Sequence, residues 1–318
     1  MEADVMKKRT ISAAQGNVRS RILTLSIVVT ILLATALSGC GRNASGPDEF
    51  EKAAMREVQE TASLAAGLLN VYMDARVTDM MVCSKMGGPL RDSLTMPEAR
   101  PDANRILEEW LKISGAYDAI LLLDKTGICL ASAPAGLMNQ DFSNDKAFEG
   151  AVKRKLIISD FHKSDVLVSL DPKSKGWTAA IAVPIRTEKG LEGVLLSYLK
   201  WSRLADMMAG IQVGKTGFVY VLNGQNQIII HPVKELYGTG PRDPRINLPA
   251  LDDAIRKKVP NYTYEFKNVM TGKTDIKLVG FAYPQGYGNF PGLGWTVGAG
   301  ADEAEIVGGH PLFRMLFR

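Results

Sequence analysis

The stretch YDAILLLDKTGICLAS, residues 117–132, decides the fold class of this 318-residue chain. Its first half is a run of apolar residues that ends at Asp124, and its second half is another such run. Between them, Lys125-Thr-Gly127 has the composition of a turn. Two apolar runs joined by a short, glycine-containing turn predict an antiparallel β-hairpin. The other elements are predicted from the sequence before and after this hairpin.

The hairpin pattern recurs 100 residues further along the chain. Residues 218–230, FVYVLNGQNQIII, again have the pattern of strand, turn and strand, and Gly224 stands where Asp124 stands in the first copy. In each copy a later strand ends in proline, at Pro184 and at Pro284. Two landmarks that keep one offset predict two related modules in tandem.

Helical periodicity dominates the sequence before the first module. From Asp48 to Lys85 apolar residues recur on one helix face, and Gly87-Gly-Pro89 is a stop signal. Shorter helices are predicted at 102–113 and 201–210. The fold class is therefore α+β, with a long N-terminal helix followed by two antiparallel-sheet modules. The predicted parts are residues 1–40, 41–85, 86–205, 206–305 and 306–318.

The first 40 residues are predicted to direct export. Residues 22–37 have no charged side chain and follow five cations, which favour the cytoplasmic side of a membrane. These 16 residues are fewer than the roughly 20 that span a bilayer, and they are typical of a signal peptide. The segment ends in Leu37-Ser-Gly-Cys40, which resembles the lipobox of bacterial lipoproteins and implies lipidation of Cys40. The alternative is an uncleaved signal anchor.

The charge distribution excludes one class of partner. The net charge of +4 arises mostly in the export segment, since the residues after Cys40 carry 33 cations against 32 anions. A nucleic-acid-binding domain normally has a strong positive surplus in its folded part. No nucleic acid is therefore expected as a partner.

The order of these parts resembles the double Cache sensor domains of bacterial receptors, which have an export anchor, a long helix and two PAS-like sheets in tandem. The resemblance covers roughly residues 48–305. Besides the hairpin, it is carried by the stretches 141–148, 158–160, 182–185, 193–195, 214–220, 230–232 and Gly294-Trp295.

The resemblance implies a small-molecule sensor without catalysis, anchored at the cell membrane and facing the periplasm. In this family the membrane-distal module, here residues 86–205, usually holds an amino acid, an amine or a carboxylic acid, and no cofactor is implied. Full receptors continue through a second membrane helix into a signalling output domain. Only a short, charged segment follows Val307, so a stand-alone lipid-tethered sensor with an unknown signalling partner is predicted. The alternative is a truncated chemotaxis receptor or sensor histidine kinase.

The resemblance also implies a binding site. Amino-acid-binding members hold the ligand carboxylate with an Arg-x-Trp-Tyr element and the ammonium with a later aspartate. The arginine and tryptophan positions fall here at Lys146 and Phe148, and the aspartate position falls near Tyr198. This implies a carboxylate-bearing ligand without an essential amine, held by Lys146, with Trp177 as a further wall and Asp160 as a further candidate. The alternative is a solvated lysine, core aromatic residues and a turn-forming aspartate.

An enzyme is not expected. His162, Asp165 and Ser169 are close in sequence, but a hydrolase nucleophile needs a strained turn, and the chain has no Gly-x-Ser-x-Gly motif. His231 has no second His or Cys at metal-ligand spacing, so no metal site is expected. A third class is a partner-docking protein, in which helix 48–85 pairs with a second copy as a coiled coil. The alternative is that its apolar stripe packs on the chain's own sheets.

Overall fold

The computed structural model describes residues 47–153, 156–267 and 274–309. The predicted export segment and Cys40 lie outside these ranges, so lipidation of Cys40 stays a prediction. None of the helices within the described ranges is both long and apolar enough to cross a bilayer.

The predicted long helix is confirmed as α1 (Pro47–Cys83). Proline is well placed at its start, because the first N–H groups of a helix have no partner within the helix. The helix ends just before the predicted Gly87-Gly-Pro89 stop. Its apolar stripe belongs to the same buried core as strands of both modules, so it packs on the chain's own sheets. The buried members include Ala54, Val58, Ala62, Ala65, Leu69, Met73, Val77 and Met80.

The first module is built on an antiparallel sheet with the strand order β2-β1-β7-β6-β3, and β4 and β5 pair separately. The predicted hairpin is confirmed by the pairing of β1 with β2. Single 3₁₀ turns lie at Pro97–Ala99 and Ala135–Leu137. The elements are α2 (Pro89–Asp92), α3 (Arg100–Ser114), β1 (Tyr117–Asp124), β2 (Cys129–Ala133), α4 (Lys146–Lys153), β3 (Ile157–Ile158), β4 (His162–Lys163), α5 (Asp165–Leu170), β5 (Trp177–Thr178), β6 (Ala180–Thr187) and β7 (Gly190–Leu199).

The second module follows a linking helix and has a sheet of order β10-β9-β13-β12-β11, with β8 paired to β9. A 3₁₀ turn lies at Lys234–Leu236. The elements are α6 (Trp201–Ala209), β8 (Gln212–Val213), β9 (Gly217–Leu222), β10 (Ile228–Ile230), α7 (Pro249–Arg256), β11 (Asn261–Lys267), β12 (Thr274–Ala282), β13 (Thr296–Asp302) and α8 (Glu303–Gly309).

The two sheets repeat one topology. The order β2-β1-β7-β6-β3 corresponds strand for strand to β10-β9-β13-β12-β11. The constant sequence offset therefore reflects a repeated arrangement of strands. The module limits at 86–205 and 206–305 stay a prediction.

Both faces of the first sheet are buried, which sets where a ligand site can lie. Because alternate residues of a strand share a face, Leu121 and Tyr198 pack in one cluster and Ile120 and Leu195 in another. The cluster with Tyr198 also contains side chains of α4. The opposite cluster includes α1 and continues into the second module.

Candidate functional site

Helix α4 begins at a well-formed cap. One carboxylate oxygen of Asp145, Oδ1, accepts hydrogen bonds from the backbone N–H groups of Ala147 (2.8 Å) and Phe148 (3.1 Å). An aspartate in this position satisfies N–H groups that have no partner within the helix and favours the positive end of its dipole. The other oxygen, Oδ2, accepts from the hydroxyl of Tyr198 at 2.8 Å. This carboxylate therefore ties the start of α4 to strand β7.

Three of the predicted site residues gather here. Lys146 is exposed in the first turn of α4, next to the capping Asp145. Phe148 and Tyr198 are buried beneath, with 4% and 0% of their surfaces exposed. Burial and the neighbouring Asp145 charge raise the pKa of Tyr198, so its hydroxyl remains a donor at neutral pH. Lys146 thus lies on the exposed surface of α4, while Phe148 and Tyr198 belong to the buried core under the helix.

The structure does not bring Asp160 and Trp177 to this place. The Asp160 carboxylate accepts from the indole Nε1–H of Trp295, 2.7 Å away, and from the backbone N–H of Phe161 at 2.7 Å. Trp177 stacks on the ring of Phe161, with 4.6 Å between centroids. Phe161, the partner of Trp177, and Trp295, the partner of Asp160, belong to the core on the opposite face of the first sheet. The two residues therefore serve the contact between modules.

This contact contains a group of six aromatic side chains, here named the junction cluster. Trp201 of α6 stands in its middle, 4.7 Å from Phe161 and 6.0 Å from Trp295 between ring centroids. Its indole Nε1–H donates to the carbonyl of Ile229 at 2.7 Å. The first module, α6 and the second module all contribute rings, so the modules share one packed interface. The members are Phe161, Trp177, Trp201, Tyr237, Phe290 and Trp295.

Among the described residues, His162 and Ser169 do not hydrogen-bond to each other, as a triad would require. Nδ1 of His162 lies 2.9 Å from the carbonyl oxygen of Asp160 and 3.2 Å from the hydroxyl of Ser159. The Ser169 hydroxyl donates to the carbonyl of Val166. Among the residues that the structure describes, no group of three His, Cys, Asp or Glu side chains is placed to hold a metal ion.

Residues 48–309 match the family model dCache_1, described as Cache domain. This chain belongs to the Cache domain family. None of the curated proteins is significantly similar to it in sequence. The two repeated sheets behind one long helix are thus a double Cache fold, which is the fold of ligand-sensing modules.

Solved Cache domains of chemoreceptors share this architecture. The ligand-binding domain of the Pseudomonas fluorescens chemoreceptor CtaA, in complex with L-isoleucine, has a TM-score of 0.58 at 15% identity and covers 83% of this chain and 98% of its own. That of Campylobacter jejuni Tlp3, with 4-methylisoleucine, has a TM-score of 0.61 at 12% identity, covering 84% and 97%. That of Pseudomonas aeruginosa PctC, with GABA, has a TM-score of 0.54 at 17% identity, covering 78% and 99%. At these identities the likeness establishes the fold.

Within the Cache fold, sequence reasoning missed Asp145. Its position before an apolar helical segment is a recognisable N-cap signal. Its bond to Tyr198 joins residues 53 positions apart, and a single sequence does not specify such a pairing. Asp145 thus places a carboxylate beside Tyr198, near which the aspartate position of amino-acid-binding members falls.

Proposed function

We propose that this Cache domain is an extracytoplasmic sensor that binds a small carboxylate-bearing molecule in its first module, beside Lys146, and performs no catalysis. The observation that carries the proposal is the exposed ammonium of Lys146 next to the Asp145–Tyr198 hydrogen bond at the start of α4. Ligand binding would shift the chain between two conformations, and only a difference in affinity for the two can drive that shift.

The carboxylate is the part of the ligand that this site supports best. L-isoleucine and GABA, bound by the chemoreceptors CtaA and PctC, each have a carboxylate and an amine, and Lys146 can pair only with the carboxylate. Lys146 makes no salt bridge with a described residue, so its ammonium is free to bind a ligand carboxylate. The oxygens of Asp145 already accept two backbone N–H groups and the Tyr198 hydroxyl. A ligand ammonium would have to compete for them, so we propose that an amine is not essential.

Binding is tested by calorimetry and thermal shift on the full chain with GABA, L-isoleucine, C4 and C5 dicarboxylates, and the amides of the same acids. We expect at least one acid to bind and its amide to fail. The variant Lys146→Met should lower the affinity for that acid roughly tenfold or more, which is the usual contribution of a hydrogen bond to a charged group.

The matched control is Lys153→Met, an exposed lysine in the last turn of the same helix. Equal affinity in both variants, or tight binding of an amine that lacks a carboxylate, would contradict the proposed site.

Membrane attachment is part of the proposal. The uncharged stretch 22–37 behind five cations supports export, and the Leu37-Ser-Gly-Cys40 match supports a lipid anchor. The mass of the mature N-terminal residue tests this, since diacylglyceryl-Cys40 is expected. An unmodified chain with its first 40 residues intact would favour the signal anchor instead.

We further propose that α1 pairs with a second copy of itself. Opposite its buried stripe, α1 exposes Leu64, Val71 and Val82, with 69%, 51% and 56% of their surfaces accessible. They are about two and three helical turns apart and thus lie along one side of the helix. An exposed apolar row of this kind is typical of an interaction surface.

Sedimentation of the full chain in detergent should show a dimer, and the double variant Leu64→Glu, Val71→Glu should raise its dissociation constant at least tenfold. The exposed Ser63→Glu, about 100° round the same helix, is the control for added charge. A wild-type monomer, or equal dissociation in both variants, would rule out this pairing.

A further inference from the structure

The second module contains a cavity of about 330 Å³ on the side of its sheet that α7 covers. Phe218, Tyr220 and Leu222 of β9 line it, because alternate residues of a strand share one face. Leu251 of α7 lines the side facing them. The cavity lies in the other module from Lys146, and it is separate from the site proposed above.

The walls of this cavity are largely apolar and include several aromatic rings. The Phe218 ring meets the imidazole of His231 edge to face, with 4.9 Å between centroids. Tyr264 and Phe266 of the edge strand β11 add two more rings. Such walls favour a flat ring, since aromatic groups gain from offset and edge-to-face contacts beyond the area that they bury.

One of the residues that line the cavity carries a polar group without a partner. The hydroxyl oxygen of Tyr220 is buried, and no group of the described chain lies within hydrogen-bond distance of it. The Tyr220 ring lies against Gly298 of β13, where a Cβ atom would stand 2.3 Å from its Cζ. The sheet thus leaves room for this ring at a position without a side chain. A buried hydroxyl without a partner is costly, and a ligand that bonds to it removes the cost.

The imidazole in the lining of this cavity is uncharged. Nδ1 of His231 accepts a hydrogen bond from the backbone N–H of Val233 at 2.9 Å, which assigns the ring proton to Nε2. Burial lowers the pKa of His231 to about 4, so the ring is neutral at neutral pH.

The two cations on the lining are already neutralised. Arg245 donates two hydrogen bonds of 2.9 Å to Asp243, and Lys277 pairs with Asp302. Among the described lining residues, a carboxylate would therefore find no cation without an anionic partner. This distinguishes the cavity from the first module, where Lys146 is exposed.

We propose that this cavity is a second ligand site, which takes a small uncharged aromatic molecule and bonds its polar group to the Tyr220 hydroxyl. The volume suits one or two fused rings, since an apolar cavity of about 150 Å³ already accepts benzene. The proposal does not depend on ligand binding in the first module.

Calorimetry of the full chain with indole tests this site, with indole-3-acetate as the charged analogue. Indole should bind saturably and indole-3-acetate at least tenfold more weakly. In Tyr220→Phe the affinity for indole should fall roughly fivefold, the usual worth of one neutral hydrogen bond. The same variant should melt a few degrees higher without ligand, because it loses a buried hydroxyl that has no partner. A merely structural role for Tyr220 would not move the two quantities in opposite directions.

A second variant tests the location. Val233 lines the cavity and is 47% exposed, so Val233→Trp should block indole with little cost to folding. Val168→Trp, at a valine of the first module that is 38% exposed, is the control and should bind indole as the wild type does. Indole binding unchanged in both Tyr220→Phe and Val233→Trp, no indole binding by the wild type, or tighter binding of indole-3-acetate would overturn the proposal. If Lys146→Met no longer binds its acid ligand, its affinity for indole should still equal that of the wild type, so the two sites are tested separately.

Discussion

Replacing Gly280 with valine is expected to lower the free energy of unfolding by about 3 kcal/mol or more. Gly280 lies on β12, directly beneath α1. A Cβ atom there would stand 2.3 Å from the backbone nitrogen of Gln59 and 2.4 Å from the carbonyl carbon of Val58. Both atoms belong to the helix backbone, so no change of rotamer relieves the overlap. Either α1 moves away from the sheet or the sheet deforms, and both lose buried area.

Urea and thermal unfolding of the purified chain measure this effect, and Gly280→Ala should lie between wild type and Gly280→Val. The control is Gly67→Ala within α1, where a Cβ atom would meet nothing within 4 Å. Alanine there should add about 1 kcal/mol through helix propensity. A wild-type unfolding midpoint for Gly280→Val would mean that α1 does not pack on β12.

Trp295→Ala should cost about 3–5 kcal/mol, the range for truncating a buried aromatic residue. Trp295 is 2% exposed, packs edge to face on Trp201 at 6.0 Å and donates its indole N–H to Asp160. Removal of the ring opens a cavity in the junction cluster and leaves the Asp160 carboxylate without that donor. For a folded unit of this size we expect the melting temperature to fall by about 10 °C.

The hydrogen bond is examined with Trp295→Phe, which keeps one aromatic ring and removes the N–H together with part of the indole. A double-mutant cycle of this variant with Asp160→Ala should give a coupling of about 1–3 kcal/mol, since the acceptor is charged and half-buried. The half-buried Trp110 of α3 is the control, and Trp110→Ala should cost less than Trp295→Ala. If Trp110→Ala and Trp295→Ala lower the free energy of unfolding equally, the junction cluster contributes no more to stability than a half-buried tryptophan elsewhere.

Local pattern was enough to predict most of the fold. The run that ends at Asp124 is strand β1 over the predicted residues, and the 48–85 periodicity is α1 within two residues at each end. These elements carry strong, uninterrupted signals of period 2 or 3.6. Strand β11 was missed, although Tyr262, Tyr264 and Phe266 alternate along it. It forms the edge of its sheet and has no landmark in the repeat.

The candidate site could be predicted only in part. Lys146, Phe148 and Tyr198 are on or beside the start of α4, and their role in binding stays a prediction. Asp160 and Trp177 are as near to them in sequence, but the chain passes to the other face of the sheet between the two groups. Which face a short segment joins depends on side-chain partners far along the chain. For Asp160 that partner is Trp295, 135 positions away.

The junction cluster also determines how the protein unfolds. Its rings belong to a buried core that runs without a break from the first sheet, along α1, into the second sheet. When one sheet melts, the other loses a wall of its own core, so neither has a stability that can be stated separately. The double Cache unit is then one cooperative folding unit despite its internal repeat. A loosening of either sheet therefore costs free energy in the whole unit.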